Sequence, residues 1–210
     1  MAAKASAASG SPWPKKSERA RNRALKREAV LTTAVRFFNE KGFNATSLDD
    51  VAETLNVTKP TIYYYFKSKD EILFDCIQQG LVLLRQAAER VEAQGGSGCE
   101  RLESLAHDYA LCMTQDFCIC ITRTADHELS PESRVRFRAL KREIDEMMRK
   151  VVADGIADGS IAAGSERLIT FTMAGALNWI ARWYDEGGPM SREEIAHGVV
   201  EVLMRGLRPR

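Results

Sequence analysis

Apolar residues in this chain recur at spacings of three and four, the period of helices with one buried face. Val30, Ala34, Phe37 and Phe38 form one such stripe, in a helix predicted from about Glu18 to Lys41 and ended by Gly42. A short helix follows. Thr46 or Ser47 caps it, Asp49 and Asp50 occupy the first turn where the helix dipole favours acids, and Val51, Ala52 and Leu55 face inward. Asn56 and Val57 make a turn. Thr58 then caps a third helix, with Pro60 in its first turn, where a missing N–H does no harm. Ser68, Lys69, Asp70 and Glu71 form a capping box that opens a fourth helix to about residue 92, with the stripe Ile72, Leu73, Ile77, Leu81 and Leu84.

The run Gly95-Gly96-Ser97-Gly98 is the clearest break in the chain. Beyond it the pattern predicts helices over about Glu100–Asp116, a shorter one to about His127, and a long Arg- and Glu-rich one from Ser130-Pro131 to about Asp158. An apolar helix over Ser165–Glu186 is stopped by Gly187-Gly188-Pro189, and Ser191 to Glu194 open a last helix that ends near Gly206. No run of alternating β-branched residues is bounded by hairpin signals, so the fold class is all-α. The reading divides the chain into a disordered arm (1–18), a three-helix head with a helix-turn-helix (19–67), and a larger helical body for ligand binding and dimerisation (68–210), whose first helix connects the two.

Net charge is +1, but it is unevenly placed: residues 1–69 carry 13 Lys/Arg against 6 Asp/Glu, and the remainder carries 17 against 23. A basic first third joined to an acidic body points to a polyanion at one end. The segment from Thr58 to Lys69 sharpens this. It holds three tyrosines, a phenylalanine, lysines at both ends and threonines at its start. Ammonium groups neutralise phosphates, and Tyr and Thr hydroxyls donate to phosphate oxygens or reach base edges. An apolar leader is missing from residues 1–18, and the most apolar stretch, 168–184, is interrupted by Asn178 and Arg182, so neither export nor a membrane span is expected. Five cysteines suit free thiols in a reducing cytoplasm. Scattered histidines, no Gly-rich phosphate loop and no nucleophile setting argue against an enzyme, and no metal or cofactor is expected.

The order Thr46-Ser47-Leu48, Val51-Ala52, then Thr61-Ile62-Tyr63-Tyr64-Tyr65-Phe66-Lys67-Ser68-Lys69-Asp70-Glu71-Ile72-Leu73 closely resembles the head of the TetR/AcrR family of bacterial transcriptional regulators. Pro60 departs from the small residue often found there. The resemblance implies a homodimer that sets helix 3 of each subunit in successive major grooves of a palindromic double-stranded DNA operator. It also implies a body whose small-molecule effector changes the spacing of the heads, and most members are repressors. On this pattern Lys59, Thr61 and Tyr63 lie where side chains reach base edges, Tyr64 and Lys69 hold phosphates, and Thr46 and Ser47 form an anion site at a helix N-terminus. Basic residues Lys15, Lys16, Arg19, Arg21 and Arg23 would extend the footprint. Ile62, Tyr65 and Phe66 are expected in the core of the head.

The second half carries a weaker resemblance. Asn178-Trp179-Ile180-Ala181-Arg182-Trp183-Tyr184 before Gly187-Gly188-Pro189 is similar to the branch of the family that controls lipid and steroid-ring catabolism and responds to acyl-CoA thioesters. Trp179, Arg182 and Trp183 would then line the effector site, aromatic walls and an Arg suiting an acyl group with a phosphate handle. The same residues equally suit packing of the core and the dimer seam, because the family pairs its last two helices into a four-helix bundle. Ala174 and Gly175 would permit close packing there, opposite Ile195, Val199, Val202 and Leu203. Two alternatives stay open: a repressor of efflux sensing lipophilic aromatic cations through acids such as Asp108, Asp116 or Asp126, and a thiol or metal sensor built on Cys112, Cys118 and Cys120 near His107 and His127. The cysteine spacing matches no zinc pattern.

Overall fold

The computed structural model describes residues 16–209, and among these only helices and loops occur. Three helices form the head: α1 (Lys16–Lys41), α2 (Leu48–Thr54) and α3 (Lys59–Tyr65). Gly42 ends α1 with φ +83° and Asn56 makes the α2–α3 turn with φ +52°, the left-handed conformation that Asn tolerates. Ser47 caps α2 by accepting from Asp49 N. Val30, Leu31, Ala34, Val35, Phe38, Val51, Ala52, Ile62 and Phe66 are buried together, and Tyr65 packs half-buried against them. That cluster does not stop at the head. It continues into Ile72, Leu73, Cys76, Ile77 and Leu81 of α4 (Lys69–Gln94), Cys120 and Ile121 of α6 (Asp116–Arg123), and Phe137 of α7 (Pro131–Ala157).

A second cluster fills the body. It joins the outer half of α4 to α5 (Gly98–Cys112), α7, α8 (Glu166–Trp183) and α9 (Arg192–Arg205). Here α5 and α7 approach so closely that a Cβ at Gly98 would run into the backbone of Gly155, which fixes both glycines. A Cβ at Gly80 of α4 would lie 2.7 Å from both Ile121 Cδ1 and the Phe117 carbonyl of α6. The start of α4 is tied to the start of α7 by Asp70, which accepts from Ser130 N (2.8 Å), Ser130 Oγ (3.0 Å) and Ser133 Oγ (2.7 Å).

Several boundaries differ from the sequence reading. α1 begins at Lys16, two residues before the predicted start, and residues 1–15, which hold most of the predicted arm and Lys15, lie outside the described residues. α5 starts at Gly98 because Ser97 and Glu100 make a reciprocal capping box, and it ends at Cys112. The expected Glu100–Asp116 helix is therefore displaced toward the N-terminus. A single 3-10 turn, Asp126–Glu128, completes the stretch that was expected to be helical up to His127. α8 ends at Trp183 rather than Glu186, as Tyr184 leaves the helix.

Candidate functional site

The outer face of the head carries Thr61, Tyr63 and Tyr64, all exposed, with Tyr64 the most open at 68%. They share α3 with Ile62, which is wholly buried and anchors the helix from the opposite side. Thr58 stands at the N-cap position without making a cap bond; its hydroxyl lies 3.0 Å from that of Thr61. The Lys59 ammonium donates to Asp49 Oδ2 at 2.7 Å, a hydrogen bond that holds the Asp49 carboxyl below its ordinary value. Ser47, half-exposed, sits beside the same carboxylate and donates to it at 3.2 Å. Arg23 of α1 lies 5.6 Å over the Tyr64 ring, and an open groove between α1 and α3 is lined by Arg19, Arg23, Lys26, Tyr64 and Tyr65. The basic end of α1 and the tyrosines of α3 therefore form one surface.

Two predicted contacts of this surface are corrected. Thr46 is buried, and its hydroxyl donates inward to the carbonyls of Phe37 (3.1 Å) and Gly42 (2.8 Å), so it joins α1 to α2 and offers nothing to a ligand outside. The Lys69 ammonium is spent within the head. It donates to the carbonyls of Phe43 (2.7 Å), Thr46 (3.0 Å) and Asn44 (3.4 Å) and lies 4.4 Å over the Phe43 ring. A phosphate would have to compete with three carbonyls for it.

A cavity of about 620 Å³ opens in the body between α4, α5, α6, α7 and α8. Leu81, Leu84, Ile121, Ile144, Met148 and Phe171 give it apolar walls. Trp179, Arg182, Ala174 and Gly175 line it too. Trp183 does not; it is exposed one turn beyond. Lys141 and Arg142 of α7 bring two more cations that are not among the expected effector residues. The signal available is Ile144 and Met148, three and seven residues after Lys141, the apolar stripe that turns this part of α7 inward. The polar contacts of these cations avoid carboxylates: Arg182 donates to the Thr122 carbonyl (3.0 Å), Arg142 to the Arg138 carbonyl (3.4 Å), and Lys141 lies over the Phe137 ring. The one acid in the lining, Asp145, is already paired with Arg149 at 2.6 Å. Asp108, Asp116 and Asp126 line no part of this cavity and pair with Arg90, Arg36 and Arg138.

Arg123 links this cavity region to the head. From α6 it donates to the Ala181 carbonyl of α8 through Nε (3.2 Å) and Nη2 (3.0 Å), and to the Asn39 carbonyl of α1 through Nη1 (2.8 Å). Asn39 answers with a bond to the Asp116 carbonyl (2.9 Å). α6 is thus fastened on one side to the helix that lines the cavity and on the other to the first helix of the head.

An exposed apolar row runs along α8 through Leu168, Phe171, Gly175, Trp179 and Trp183, and Val202 (71% exposed) continues it on α9. Such a patch on two adjoining helices marks an interaction surface. Val199 and Leu203 lie half-buried at its edge, and Ala174 is half-buried in the cavity lining. Ile195 is a correction: it is 3% exposed and belongs to the body's own core.

All five cysteines are free and buried. Burial pushes the Cys120 thiol up to about 12, and burial likewise raises Cys76, so neither is thiolate at neutral pH. Cys118 donates to the Gly80 carbonyl at 3.5 Å, where it packs α6 on α4. Among the described residues no cluster of three or more His, Cys, Asp or Glu is placed to hold a metal ion.

Comparison with known proteins follows the same division. Residues 30–76 match the profile of the bacterial regulatory proteins of the tetR family, and residues 95–207 match that of the tetracyclin repressor-like C-terminal domain. The transcriptional repressor KstR2 of Mycolicibacterium smegmatis is 23% identical over 194 residues, 88% of this chain and 91% of that protein. A crystal structure of a TetR/AcrR regulator from Thermobifida fusca is 33% identical with a TM-score of 0.68, covering 88% of this chain and all of that one (100%). AibR, crystallised with isovaleryl coenzyme A and operator DNA, is 25% identical with a TM-score of 0.76 and covers 85% and 98%. With the head and the body each matched in order and over most of their length, the chain belongs to the TetR family of bacterial regulatory proteins.

Proposed function

We propose that this regulator is a homodimeric repressor that works in the cytoplasm, holding a palindromic operator and letting it go when a CoA thioester enters the body. In the head, Ser47, Lys59, Thr61, Tyr63 and Tyr64 meet the DNA: α3 enters the major groove, Thr61 and Tyr63 reach base edges, Tyr64 serves a phosphate, and Lys59, which the family pattern sets at a base edge, is held by Asp49 at the start of α3 and serves a phosphate instead. Lys69 and Thr46 hold the α1–α2 corner that orients this face. The apolar row on α8 and α9, with Gly175, Trp183, Val199, Val202 and Leu203, pairs with its copy.

One observation carries the choice of effector. The cavity joins apolar walls to three cations, Lys141, Arg142 and Arg182, while its single carboxylate is neutralised by Arg149. An apolar acyl group with an anionic handle fits that balance, whereas a lipophilic cation would face three like charges. The AibR complex shows a relative taking a ligand of this class.

Thermal denaturation with a panel of CoA thioesters tests the effector. A ligand at a hundred times its dissociation constant stabilises the native state by about 2.7 kcal/mol, a rise of roughly 5–10 °C in Tm for a chain of this size. Arg182→Gln should weaken the same ligand by about ten- to a hundredfold. A shift with lipophilic cations and none with any thioester would overturn the reading.

A further inference from the structure

Two thiols meet where α5 ends and α6 begins. Cys112 is the last residue of α5, and its carbonyl accepts from Gln115 N at 2.9 Å. The Gln115 carbonyl in turn accepts from Cys118 N at 3.0 Å. Two successive turns keep the step between the cysteines short, and the Cys118 thiol hydrogen-bonds the Cys112 sulfur. Both side chains lie in the core of the body. Cys76 and Cys120 belong to the other cluster, where their thiols meet oxygen: Cys76 donates to the Leu31 carbonyl at 3.7 Å, and Cys120 lies 3.8 Å from the Thr124 hydroxyl.

The two sulfurs are unequal. Cys118 has one proton and two neighbours for it, the Gly80 carbonyl at 3.5 Å and Cys112. The hydrogen bond from Cys118 holds the Cys112 thiol below its ordinary value, and the same bond, with burial, pushes Cys118 up. Cys112 is 6% exposed and Cys118 0%, so Cys112 is also the sulfur nearer to solvent. The Arg90–Asp108 ion pair, joined at 2.9 Å, stands beside it. A more open, more acidic thiol with a second thiol in contact behind it has the layout of an attacking and a resolving cysteine.

We propose that Cys112 and Cys118 are an oxidation site, closing to a disulfide under a hydroperoxide and thereby weakening the hold on the operator. The proposal does not depend on the acyl-CoA reading. The Cys112 thiolate attacks the peroxide: an S–O bond forms, the O–O bond breaks, and the leaving oxygen takes a proton to become water or an alcohol. The Cys118 sulfur then attacks the sulfenic acid, an S–S bond forms, and the sulfenic hydroxyl leaves with the Cys118 proton as water. Two thiols lose two electrons and the peroxide gains them. A disulfide sets its sulfurs about 2.05 Å apart, well inside hydrogen-bond separation, so α6 must move toward the end of α5. The Cys118 bond to Gly80 is then lost. That contact has no slack, since a Cβ at Gly80 would already lie 2.7 Å from the Phe117 carbonyl. α6 holds α1 through Arg123 and Asn39, so its displacement reaches the head.

Treatment of the native full chain with hydrogen peroxide, followed by alkylation and mass spectrometry, tests the site. Cyanogen bromide cleavage after Met113 leaves the two cysteines on separate fragments unless they are bridged. Oxidised protein should lose two of its five thiols and the mass of two hydrogens, and should yield one fragment pair joined through Cys112 and Cys118, released by dithiothreitol. Operator affinity, read by mobility shift, should fall by about tenfold on oxidation and return on reduction. Cys112→Ser and Cys112→Ala should bind the operator as reduced wild type does and ignore the peroxide, and Cys118→Ser, whose hydroxyl can still donate to the Gly80 carbonyl, should do the same. Persistence of all five thiols, a bridge between other cysteines, or over-oxidation of Cys112 with Cys118 left free overturns the site. A bridged protein that binds the operator as the reduced one does, or a peroxide effect that survives in both Cys112 variants, overturns the link to DNA binding.

Discussion

The head sets its outward chemistry on one short helix, while the body assembles its cavity from five. On α3 the exposed Thr61, Tyr63 and Tyr64 alternate with the buried Ile62, so a single short helix carries both the surface and the anchor. In the body Lys141 and Arg142 of α7 and Arg182 of α8 stand exposed around the cavity, whose apolar walls from other helices are Leu81, Leu84 and Ile121. A surface that must meet a long polyanion needs reach and exposure. A cavity for one small molecule needs enclosure, and enclosure is non-local. The two regions also share more than the connecting helix. The core of the head runs on through α4 into Cys120, Ile121 and Phe137, so the boundary between them is a continuous apolar cluster crossed by polar bonds from Arg123 and Asp70.

The largest expected effect breaks the head while sparing the cavity. Phe66 is 1% exposed, and the Arg27 guanidinium lies 4.6 Å over its ring. Phe66→Ala leaves a hole in a packed cluster and should cost about 3–5 kcal/mol. Mobility-shift binding to the operator should be lost at temperatures where acyl-CoA titration still gives a normal enthalpy. If ligand binding falls with DNA binding, the shared cluster makes the two regions one cooperative unit and the comparison fails.

A smaller effect is expected at the joint. Arg123 makes three hydrogen bonds to two carbonyls, one in each region, and so joins α8 to α1. Arg123→Met keeps much of the apolar stem and removes these bonds, at about 1.5–3 kcal/mol for hydrogen bonds from a charged group. Empty protein should still bind the operator within a few-fold, and the ligand should still bind, but the ligand concentration that releases the operator should rise by about tenfold. That coupling is a free energy between sites, so the reciprocal measurement, ligand affinity with and without operator, must shift by the same factor. Unchanged coupling in Arg123→Met would mean the signal travels through the apolar cluster instead.

The same contrast explains what could be read from the chain. The helix ends of the head depend on neighbours in sequence: the Ser47 cap, the Asn56 turn, Pro60 in the first turn of α3, the Ser68 cap of α4. Local rules place them, and the helices fall within a few residues of expectation. What local rules missed were long-range polar partners. Thr46 and Ser47 are equivalent as sequence, and only the positions of Phe37 and Gly42 turn one inward. Lys69 reads as a cation for phosphate until the Phe43 carbonyl appears beside it. In the body, Trp179 and Arg182 stand out by residue type, whereas Lys141 and Arg142 give no sign, because the cavity wall is assembled from five helices spread over residues 81–182. Ile195 was assigned to a seam for the related reason that a periodic stripe says which face is apolar without saying what covers it.

The smallest effect is on the surface of the head, and it separates binding from stability. Lys59 and Asp49 form an exposed ion pair, with side chains 42% and 63% accessible, and pairs of this kind add little to folding. Lys59→Ala should therefore leave the Tm where it is. On the operator it removes one phosphate contact, so the slope of log K against log salt should fall by about one, with affinity lowered across all sequences alike. Asp49→Asn should act in the opposite sense. It frees the Lys59 ammonium from the carboxylate that now holds it at 2.7 Å and removes a negative charge from the face the DNA approaches. Affinity for any duplex should rise while discrimination between operator and random DNA falls, since phosphate attraction is blind to sequence. If Asp49→Asn weakens the operator instead, the pair is needed to aim Lys59, and the surface of the head is as preorganised as the cavity beneath it.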